Sequence, residues 1–472
     1  METILISVPY VYPLCPLNFN HAKMFVIADV FARYACSFAH KDVRLIFPIA
    51  SHYSGNTAQS TSSIIEDCFN GNKSEESLKV LNLYKTGYKV PLNVLRKFKD
   101  SNYLMSYFNE EILWELKSLA VSCDYDDAYT TGDTYFEDFV RSIFRQYSKY
   151  GLLVKNEREE FAINYDEPQW RKETIELIKD TCIYHERHRN NILSALNNLS
   201  SGWECLRNTG FGVKYDNNGL IIDPMFDSEL FMVFDLFVYW RNRLNTAINN
   251  PAAFFDALFL SLKARKNNPN NGISDEESGL IDCIMKSLPC DIFVAEEHLK
   301  NWIGKKFFIE QRLLHPDLRT KSYRIIGMAM LDGKRMSASR GHAILARDLI
   351  KEHGRVVSRL VLLMSGGNIS KTCNYEKELP QEAKTIIDNF SDYLVFLKSN
   401  YYLGSQEFDI ENQSNKINKL IEEGYFRQAI IELLVTIPSS YKNPSIESRA
   451  KLLLLYKKYL NIFIPDYAQC YC

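Results

Sequence analysis

The hydrophobic and polar positions of the first fifty residues alternate between short apolar runs and one longer helical pattern. Residues 3–8 form an apolar, β-rich run that predicts a buried strand, and residues 43–47 predict a second strand. Between them, apolar residues recur at the spacing of one helix face, at Met24, Ile27, Ala28, Phe31 and Ala35. The order of strand, proline-containing loop, helix and strand is typical of the start of a parallel α/β sheet.

Residues 60–235 have a mainly helical pattern. The clearest helix is predicted over residues 134–150, and its apolar stripe consists of Phe136, Phe139, Val140, Ile143, Tyr147 and Tyr150. Thr134 and Glu137 have the spacing of a capping box, and Gly151 suits the end of the helix. A second helix is predicted over residues 191–205.

The second half of the chain alternates loop, strand and helix. The composition of residues 266–278 predicts a surface loop. Residues 323–331 predict one strand that runs into a turn at Asp332-Gly333. From residue 346 onward the pattern is helical. Together these patterns favour an α/β fold followed by an α-helical region.

Composition adds that the chain is globular and has no overall basic character. The chain has 472 residues, of which 46% are hydrophobic, so more than one domain and a large core are expected. Its formal net charge is −2. Many nucleic-acid-binding proteins carry an excess of Lys and Arg, because phosphate contacts supply much of the affinity. Any RNA contact would therefore depend on a local basic patch.

The spacing of the cysteines and the length of the apolar runs indicate whether a zinc site is expected and in which compartment the protein is expected. The eleven cysteines include no C-x-x-C pair, so no zinc site is expected. His185 and His188 are expected to face solvent. The N-terminus lacks the pattern of a signal peptide, and no run of about 18 apolar residues predicts a membrane span. We therefore expect a cytoplasmic protein with reduced thiols and no membrane partner.

Residues 12–22 place a proline-rich loop before Asn18, Asn20 and His21 at the predicted helix start. This segment resembles the first signature of the class I aminoacyl-tRNA synthetases, which ends in His-Ile-Gly-His. In that family the helix N-terminus and the imidazoles bind ATP phosphates, and the glycine lets adenine lie against the backbone. The resemblance implies that Asn18, Asn20 and His21 bind ATP and that His21 is catalytic. Asn20, however, has a side chain where adenine would lie.

Residues 333–341 resemble the second class I signature, K-M-S-K-S. In the family this mobile loop closes over the pyrophosphate, and its lysines offset charge that develops in the transition state. The resemblance implies that Lys334, Arg335, Met336 and Arg340 bind ATP. It also implies catalytic roles for Arg335, Ser337 and Ser339. Ala338 stands where the second lysine belongs.

Two further segments narrow the resemblance to the leucyl branch. Residues 47–55 resemble the F-P-x-x-x-H-x-T-G segment of archaeal and eukaryotic leucyl-tRNA synthetases, and residues 124–131 resemble their D-W…T-T element. The resemblance implies a substrate site formed by Tyr12, His52 and Asp124, with Asp124 meeting the substrate amine. Without it, His52 could equally be a hydrogen-bonded core residue and Asp124 a helix cap.

The editing domain of leucyl enzymes is expected to be absent. Residues 203–213 and 226–228 resemble the segments that flank that domain, and only a short stretch separates them here. The resemblance extends over about residues 3–435, so the C-terminal domain that leucyl enzymes use on tRNA is also expected to be absent.

The resemblance implies an α/β fold: a class I Rossmann-like parallel sheet, split by a helical connective insertion and followed by an α-helical C-terminal region. Residues 1–60 and 236–345 would form the two halves of the catalytic domain. Residues 61–235 would form the insertion, and residues 346–472 a truncated tRNA-binding-type region.

The function implied is ATP-dependent activation of an aliphatic or related amino acid, with Mg²⁺, and transfer of the aminoacyl group to a weakly bound tRNA. Two alternatives stay open because both signatures are altered. One is an adenylate-forming or tRNA-charging enzyme of specialised metabolism, which the missing editing domain favours because binding alone discriminates poorly between near-isosteres. The other is a binding protein that kept the fold and lost the chemistry.

Overall fold

A computed structural model describes residues 2–39, 42–72, 74–200, 202–208, 212–215, 219–266, 272–300, 302–399 and 404–467. The chain groups into two compact units. The first unit contains Met1–Cys15, Val43–Glu110 and Cys123–Ile325, and the second contains Pro16–Asp42, Glu111–Ser122 and Ile326–Cys472. Both units are therefore assembled from segments that lie far apart in the sequence.

The strands are short, and most of them belong to the first unit. They are β1 (Glu2–Ser7), β2 (Val43–Ile46), β3 (Ala50–Ser51), β4 (Tyr129–Thr130), β5 (Leu153–Lys155), β6 (Phe161–Ile163), β7 (Cys182–Ile183), β8 (Leu206–Arg207), β9 (Ile221–Ile222), β10 (Asp291–Ala295), β11 (Ser322–Ile326), β12 (Ala329–Leu331), β13 (Lys334–Arg335) and β14 (Cys373–Asn374).

The helices are α1 (Phe19–Phe38), α2 (Asn56–Phe69), α3 (Glu75–Asn82), α4 (Leu92–Leu95), α5 (Ser101–Ser118), α6 (Thr134–Lys149), α7 (Pro168–Asp180), α8 (Glu186–Leu196), α9 (Pro224–Asp227), α10 (Phe231–Leu244), α11 (Pro251–Ala264), α12 (Asp275–Ser287), α13 (Ile303–Leu313), α14 (Ala346–Met364), α15 (Leu379–Lys398), α16 (Ile410–Glu422), α17 (Phe426–Ile431), α18 (Ile437–Ser440) and α19 (Ile446–Phe463). In the part of the chain that the structure describes, none of them combines the length and apolar composition needed to span a bilayer.

The first unit contains a five-stranded sheet with the order β2-β1-β10-β11-β7. β1 pairs in parallel with both β2 and β10, and β11 pairs in parallel with β7. Leu5 and Ile6 of β1 are almost fully buried because apolar layers cover the sheet. The predicted strands at residues 3–8 and 43–47 and the α/β fold class are thus confirmed.

The second unit is mainly helical and is organised around α1. This helix packs on α14 and α19. It is buried on most of its faces from Phe19 to Ala32, which explains why apolar residues occur nearly all round it. The carboxylate of Asp29 is also buried, and it accepts hydrogen bonds from Arg33, Ser122 and the buried Arg359. A buried charge needs such partners.

Several sequence predictions need correction. The strand predicted over residues 323–331 is two strands, β11 and β12, which belong to different sheets and are separated by Gly327 and Met328. A Cβ at Gly327 would lie 2.3 Å from the backbone carbon of Lys371, so only glycine fits there. The helix predicted over residues 191–205 is α8, which ends at Leu196. A polar stretch that begins at Asn197 follows it.

The predicted capping box at Thr134 and Glu137 is wrong. Asp133 is the N-cap of α6, and its carboxylate accepts a hydrogen bond from the Tyr135 N–H. Glu137 pairs instead with Arg141.

The predicted loop over residues 266–278 is shorter, because α12 begins at Asp275. Residues 267–271 of that loop lie outside the described residues. His188, expected to face solvent, is fully buried.

Candidate functional site

The first-signature residues form the beginning of α1 in the second unit. Asn18 is the N-cap, and its side-chain oxygen accepts a hydrogen bond of 3.0 Å from the His21 N–H. Asn18 therefore satisfies one of the amides that an α-helix leaves without an internal partner. The side chain that replaces the family's first histidine is used to start the helix.

Asn20 connects the same helix end to strand β12. Its side-chain amide donates to the Ala329 carbonyl at 3.1 Å, and its side-chain oxygen accepts from the Ala329 N–H at 2.7 Å. The side chain thus pairs with the Ala329 backbone as a neighbouring strand would. This contact had no sequence signal beyond the replacement of a glycine by asparagine.

The backbone before α1 pairs with the backbone before α14. Phe19 N–H donates to the Ile344 carbonyl at 2.8 Å, Ala346 N–H donates to the Leu17 carbonyl at 2.8 Å, and Asn18 lies opposite Leu345. The first signature therefore lies beside the segment that directly follows the second signature.

The second signature forms a hairpin and a turn. β12 and β13 pair antiparallel, with Met330 opposite Arg335, across a turn in which Asp332 and Gly333 both have positive φ, 49° and 70°. This geometry fits an Asp-Gly hairpin turn. Lys334, Arg335 and Arg340 are exposed, whereas Met336 and Ala338 are buried.

The chain after the hairpin folds back onto it. Ser337 and His342 exchange two backbone hydrogen bonds, and the His342 ring contacts the Leu331 carbonyl at 3.0 Å. Ser339 lies in the single helical turn Ala338–Arg340 between them. Of the residues expected at this signature, Lys334, Arg335 and Arg340 present charge to solvent, while Met336 belongs to the packed interior.

In the first unit, Tyr12 and His52 lie together. Their ring centroids are 4.7 Å apart, and the His52 Nε2 lies 2.9 Å from Asp227 Oδ1 and 2.7 Å from Ser54 Oγ. Tyr12 is 45% exposed, whereas His52 and Asp227 are buried. Burial raises the pKa of Asp227, and the contact with His52 partly offsets that rise. His52 is thus a hydrogen-bonded residue whose ring lies against a solvent-accessible tyrosine.

Asp124 is held at the end of β2. Its N–H donates to the Phe47 carbonyl at 2.8 Å, its carboxylate accepts from the Phe47 N–H at 2.7 Å, and Arg243 lies 3.8 Å away. Burial raises the pKa of this carboxyl, while the Phe47 N–H and Arg243 lower it. Asp124 does not accept a hydrogen bond from the turn that follows it, so it is not a side-chain cap.

Sequence reasoning missed a buried polar chain beside these residues. The Tyr10 hydroxyl lies 2.6 Å from the Tyr129 hydroxyl, which donates to Asp235 at 2.7 Å. Tyr10 also contacts the ring of His52. The available signal was the presence of three acidic residues, Asp227, Glu229 and Asp235, within the largely apolar stretch of residues 226–240.

The described residues contain no group of three or more His, Cys, Asp and Glu side chains arranged to hold a metal ion.

The strands β8 and β9 pair antiparallel close to the position where an editing domain is expected in leucyl enzymes. Residues 209–211 of the flanking segment over residues 203–213 lie outside the described residues.

The fold is similar to that of a solved methionyl-tRNA synthetase. A methionyl-tRNA synthetase from Mycobacterium tuberculosis, solved in complex with methionyl-adenylate, superposes with a TM-score of 0.63 over 100% of this chain and 93% of its own, at 12% identity. A second structure of that enzyme with Met-AMP has the same TM-score and covers 99% of this chain. Because the identity is so low, these likenesses concern the fold.

In sequence the chain resembles leucine–tRNA ligases. It is 27% identical over 150 residues to leucine–tRNA ligase 2 of Sulfolobus acidocaldarius and 30% identical over 150 residues to the leucine–tRNA ligase of Pyrobaculum arsenaticum. Each alignment covers 32% of this chain and 15% of the ligase. No protein-family model matches the chain. The expected resemblance to class I synthetases, leucyl-like in sequence, is confirmed.

Proposed function

We propose that this chain binds ATP with Mg²⁺ and activates an amino acid to an aminoacyl-adenylate, as a leucyl-like ligase. The observation that carries the proposal is the pairing of the two altered signatures within the second unit. Residues 17–19 pair with residues 344–346, and Asn20 pairs with Ala329, so the start of α1 and the second-signature hairpin are fixed against each other.

The charges near the hairpin suit a polyphosphate. Lys334, Arg335 and Arg340 are exposed and carry three positive charges within seven residues. The N-terminus of α1, a helix of 20 residues, adds positive potential. Mg²⁺ usually keeps several waters and binds through substrate phosphates, so it needs no separate cluster of acidic residues. The residues present therefore fit Mg²⁺-ATP.

The altered signature positions reduce the number of side chains that can contact the phosphates of ATP. Asn18 uses its side-chain oxygen as a cap, and Asn20 uses its amide on Ala329, so neither oxygen is directed at a ligand. His21, Arg335 and Ser337 are then the side chains we expect to contact the phosphates or act during their transfer. Loss of a positioned donor costs on the order of 10²–10³ in rate, so slow activation is expected.

Tyr12, His52 and Asp124 are proposed to bind the amino acid. Tyr12 is the accessible member, His52 positions its ring, and Asp124 offers a carboxylate to the amine beside Arg243. Leucine is the first substrate to test because the sequence relatives are leucine–tRNA ligases. Transfer to tRNA, with weak binding of the tRNA, is part of the same proposal.

A second candidate is a binding protein without catalysis. The observation that favours it is that two altered signature positions, Asn20 and Ala338, are occupied by contacts within the protein itself.

Calorimetry with Mg²⁺-ATP and pyrophosphate exchange with each standard amino acid separate the candidates. Exchange that is lost in His21→Ala supports the enzyme. ATP binding without exchange for any amino acid supports the binding protein. Failure to bind ATP rejects the enzyme and leaves the binding protein.

A further inference from the structure

Glu115, on α5, is a fully buried acid that lies within the second unit and outside both signatures. One carboxylate oxygen accepts a hydrogen bond from the Leu17 N–H at 2.9 Å. The other accepts from the Arg347 N–H at 3.1 Å. Leu17 belongs to the first signature and directly precedes Asn18, and Arg347 is the second residue of α14, the helix that follows the second signature. One side chain thus holds both segments.

The two bonds complete the pairing described above. The Leu17 carbonyl already accepts from the Ala346 N–H at 2.8 Å. The carboxylate of Glu115 binds the next two amides at this end of the paired segments, those of Leu17 and Arg347. Arg347 lies in the first turn of α14, where backbone amides lack acceptors inside the helix. The residue before α14, Leu345, supplies no side-chain cap. Glu115 therefore serves as the cap of α14 from another element, and its negative charge suits a helix N-terminus.

We propose that Glu115 is a positioning residue that keeps the two signature segments in register and thereby sets the affinity for ATP. The ATP part of this inference rests on the proposed function. The register part rests only on the geometry around Glu115.

The titratable groups that face Glu115 are Glu111 on its own helix and Arg347 on α14, which pair with each other at 2.5 Å. The segment that contains Leu17 contributes a backbone amide. The pKa of Glu115 is raised to about 8, mainly by burial and also by Glu111, and these two causes outweigh the lowering by the two amides and by the charge of Arg347. The ionised carboxylate is the stronger acceptor for both amides. The affinity for ATP should therefore rise as the pH increases through about 8.

The test uses the full chain, Mg²⁺-ATP and calorimetry between pH 7 and 9. Glu115→Gln places an amide group against one of the two N–H donors, so one charge-assisted bond is lost. We expect ATP binding to weaken about tenfold and the pH-dependent rise to disappear. Glu111→Gln removes a like charge from the surroundings of Glu115, so the midpoint of the rise should move to lower pH. Glu110→Gln, an exposed change on the same helix, is the control and should match the wild type.

Hydrogen exchange of the same variants, without ATP, tests the register directly. Glu115→Gln should accelerate exchange of the Leu17 and Arg347 amides about tenfold, and Glu110→Gln should not. Unchanged exchange and an unchanged pH profile in Glu115→Gln would overturn the inference while the proposed function stands. If the wild type binds no ATP, the proposed function and the ATP part fail, and exchange still decides the register. If Glu115→Gln does not fold, an unmoved midpoint in Glu111→Gln overturns the inference.

Discussion

Asn20 and Ala329 are 309 positions apart in the sequence and exchange two hydrogen bonds, with the amide side chain of Asn20 on both the N–H and the carbonyl of Ala329. A glycine at this position, as in the family signature, could not make either bond. The replacement therefore adds a link between α1 and β12.

Replacement of Asn20 by glycine should destabilise the protein. Two hydrogen bonds contribute about 1–3 kcal/mol together, so the free energy of unfolding should fall by about that amount. Chemical denaturation measures it. Asn20→Asp is the matched variant, because it keeps the oxygen that accepts from the Ala329 N–H and places a second oxygen, which cannot donate, against the Ala329 carbonyl; it should also lower stability, through the donor bond alone. Equal stability of Asn20→Gly and the wild type would show that the link contributes nothing.

Arg335 should matter more than a neighbouring cation outside the signature. Arg335→Ala should reduce pyrophosphate exchange by about 10²–10³-fold, because it removes a charge from the loop that is proposed to meet the phosphates. Lys377→Ala is the control, since Lys377 is an exposed cation that pairs with Asp332 of the same hairpin at 3.2 Å. A similar loss in both variants would assign the effect to general charge.

Asp235 should make stability fall with increasing pH. The pKa of its carboxyl is raised to about 7, because the effect of burial outweighs the lowering by the hydrogen bond from Tyr129. Its pKa in the unfolded chain is about 3.9. The folded state thus keeps a proton that the unfolded state has released, so this contribution is full below about pH 4 and is lost as the pH rises through about 7.

Asp235→Asn removes this dependence. Between pH 4 and 7, the free energy of unfolding of the wild type should fall relative to that of the variant by about 1.4 kcal/mol for each pH unit of increase. Urea denaturation at several pH values measures it. Glu157→Gln, an exposed acid, serves as the control and should give a curve parallel to the wild type. A parallel curve for Asp235→Asn as well would contradict the prediction.

Binding of tRNA should depend only weakly on salt. The net charge is −2, so few phosphate contacts are expected. In filter binding, the slope of log affinity against log salt should be shallower than about −5, which corresponds to roughly five phosphate contacts. A steeper slope would reveal a basic surface that the overall charge conceals.

Those parts of the fold that depend on local residue patterns could be predicted from the sequence. The strands β1 and β2, the helix α6 and the synthetase-like order of elements follow from periodicity and motif order. The position of Asn18 and Asn20 at a helix start was also predicted. The second signature was predicted as a loop after the turn at Asp332-Gly333, and its pairing into a hairpin was not. Their roles at a nucleotide remain predictions.

The sequence could not reveal contacts whose partners are distant backbone groups or isolated acids. Glu115 meets two amides, and Asn20 meets one residue's backbone, neither of which leaves a pattern of residue types. Tyr10, Tyr129 and Asp235 are joined across separations of 119 and 106 residues. Buried polar groups of this kind are satisfied by tertiary structure, which periodicity does not report.

The carboxylate of Asp29 has a consequence for how the protein is made. It accepts hydrogen bonds from Ser122 and from Arg359, which follows it by 330 residues. Since a chain emerges from the ribosome N-terminus first, α1 is synthesised long before α14 and α19, the helices that cover it. The packing of its apolar faces and the bond between Asp29 and Arg359 cannot form until the last third of the chain has been synthesised. Between these two events the apolar faces of α1 lack the helices that cover them, and exposed apolar surface of this kind is prone to aggregation.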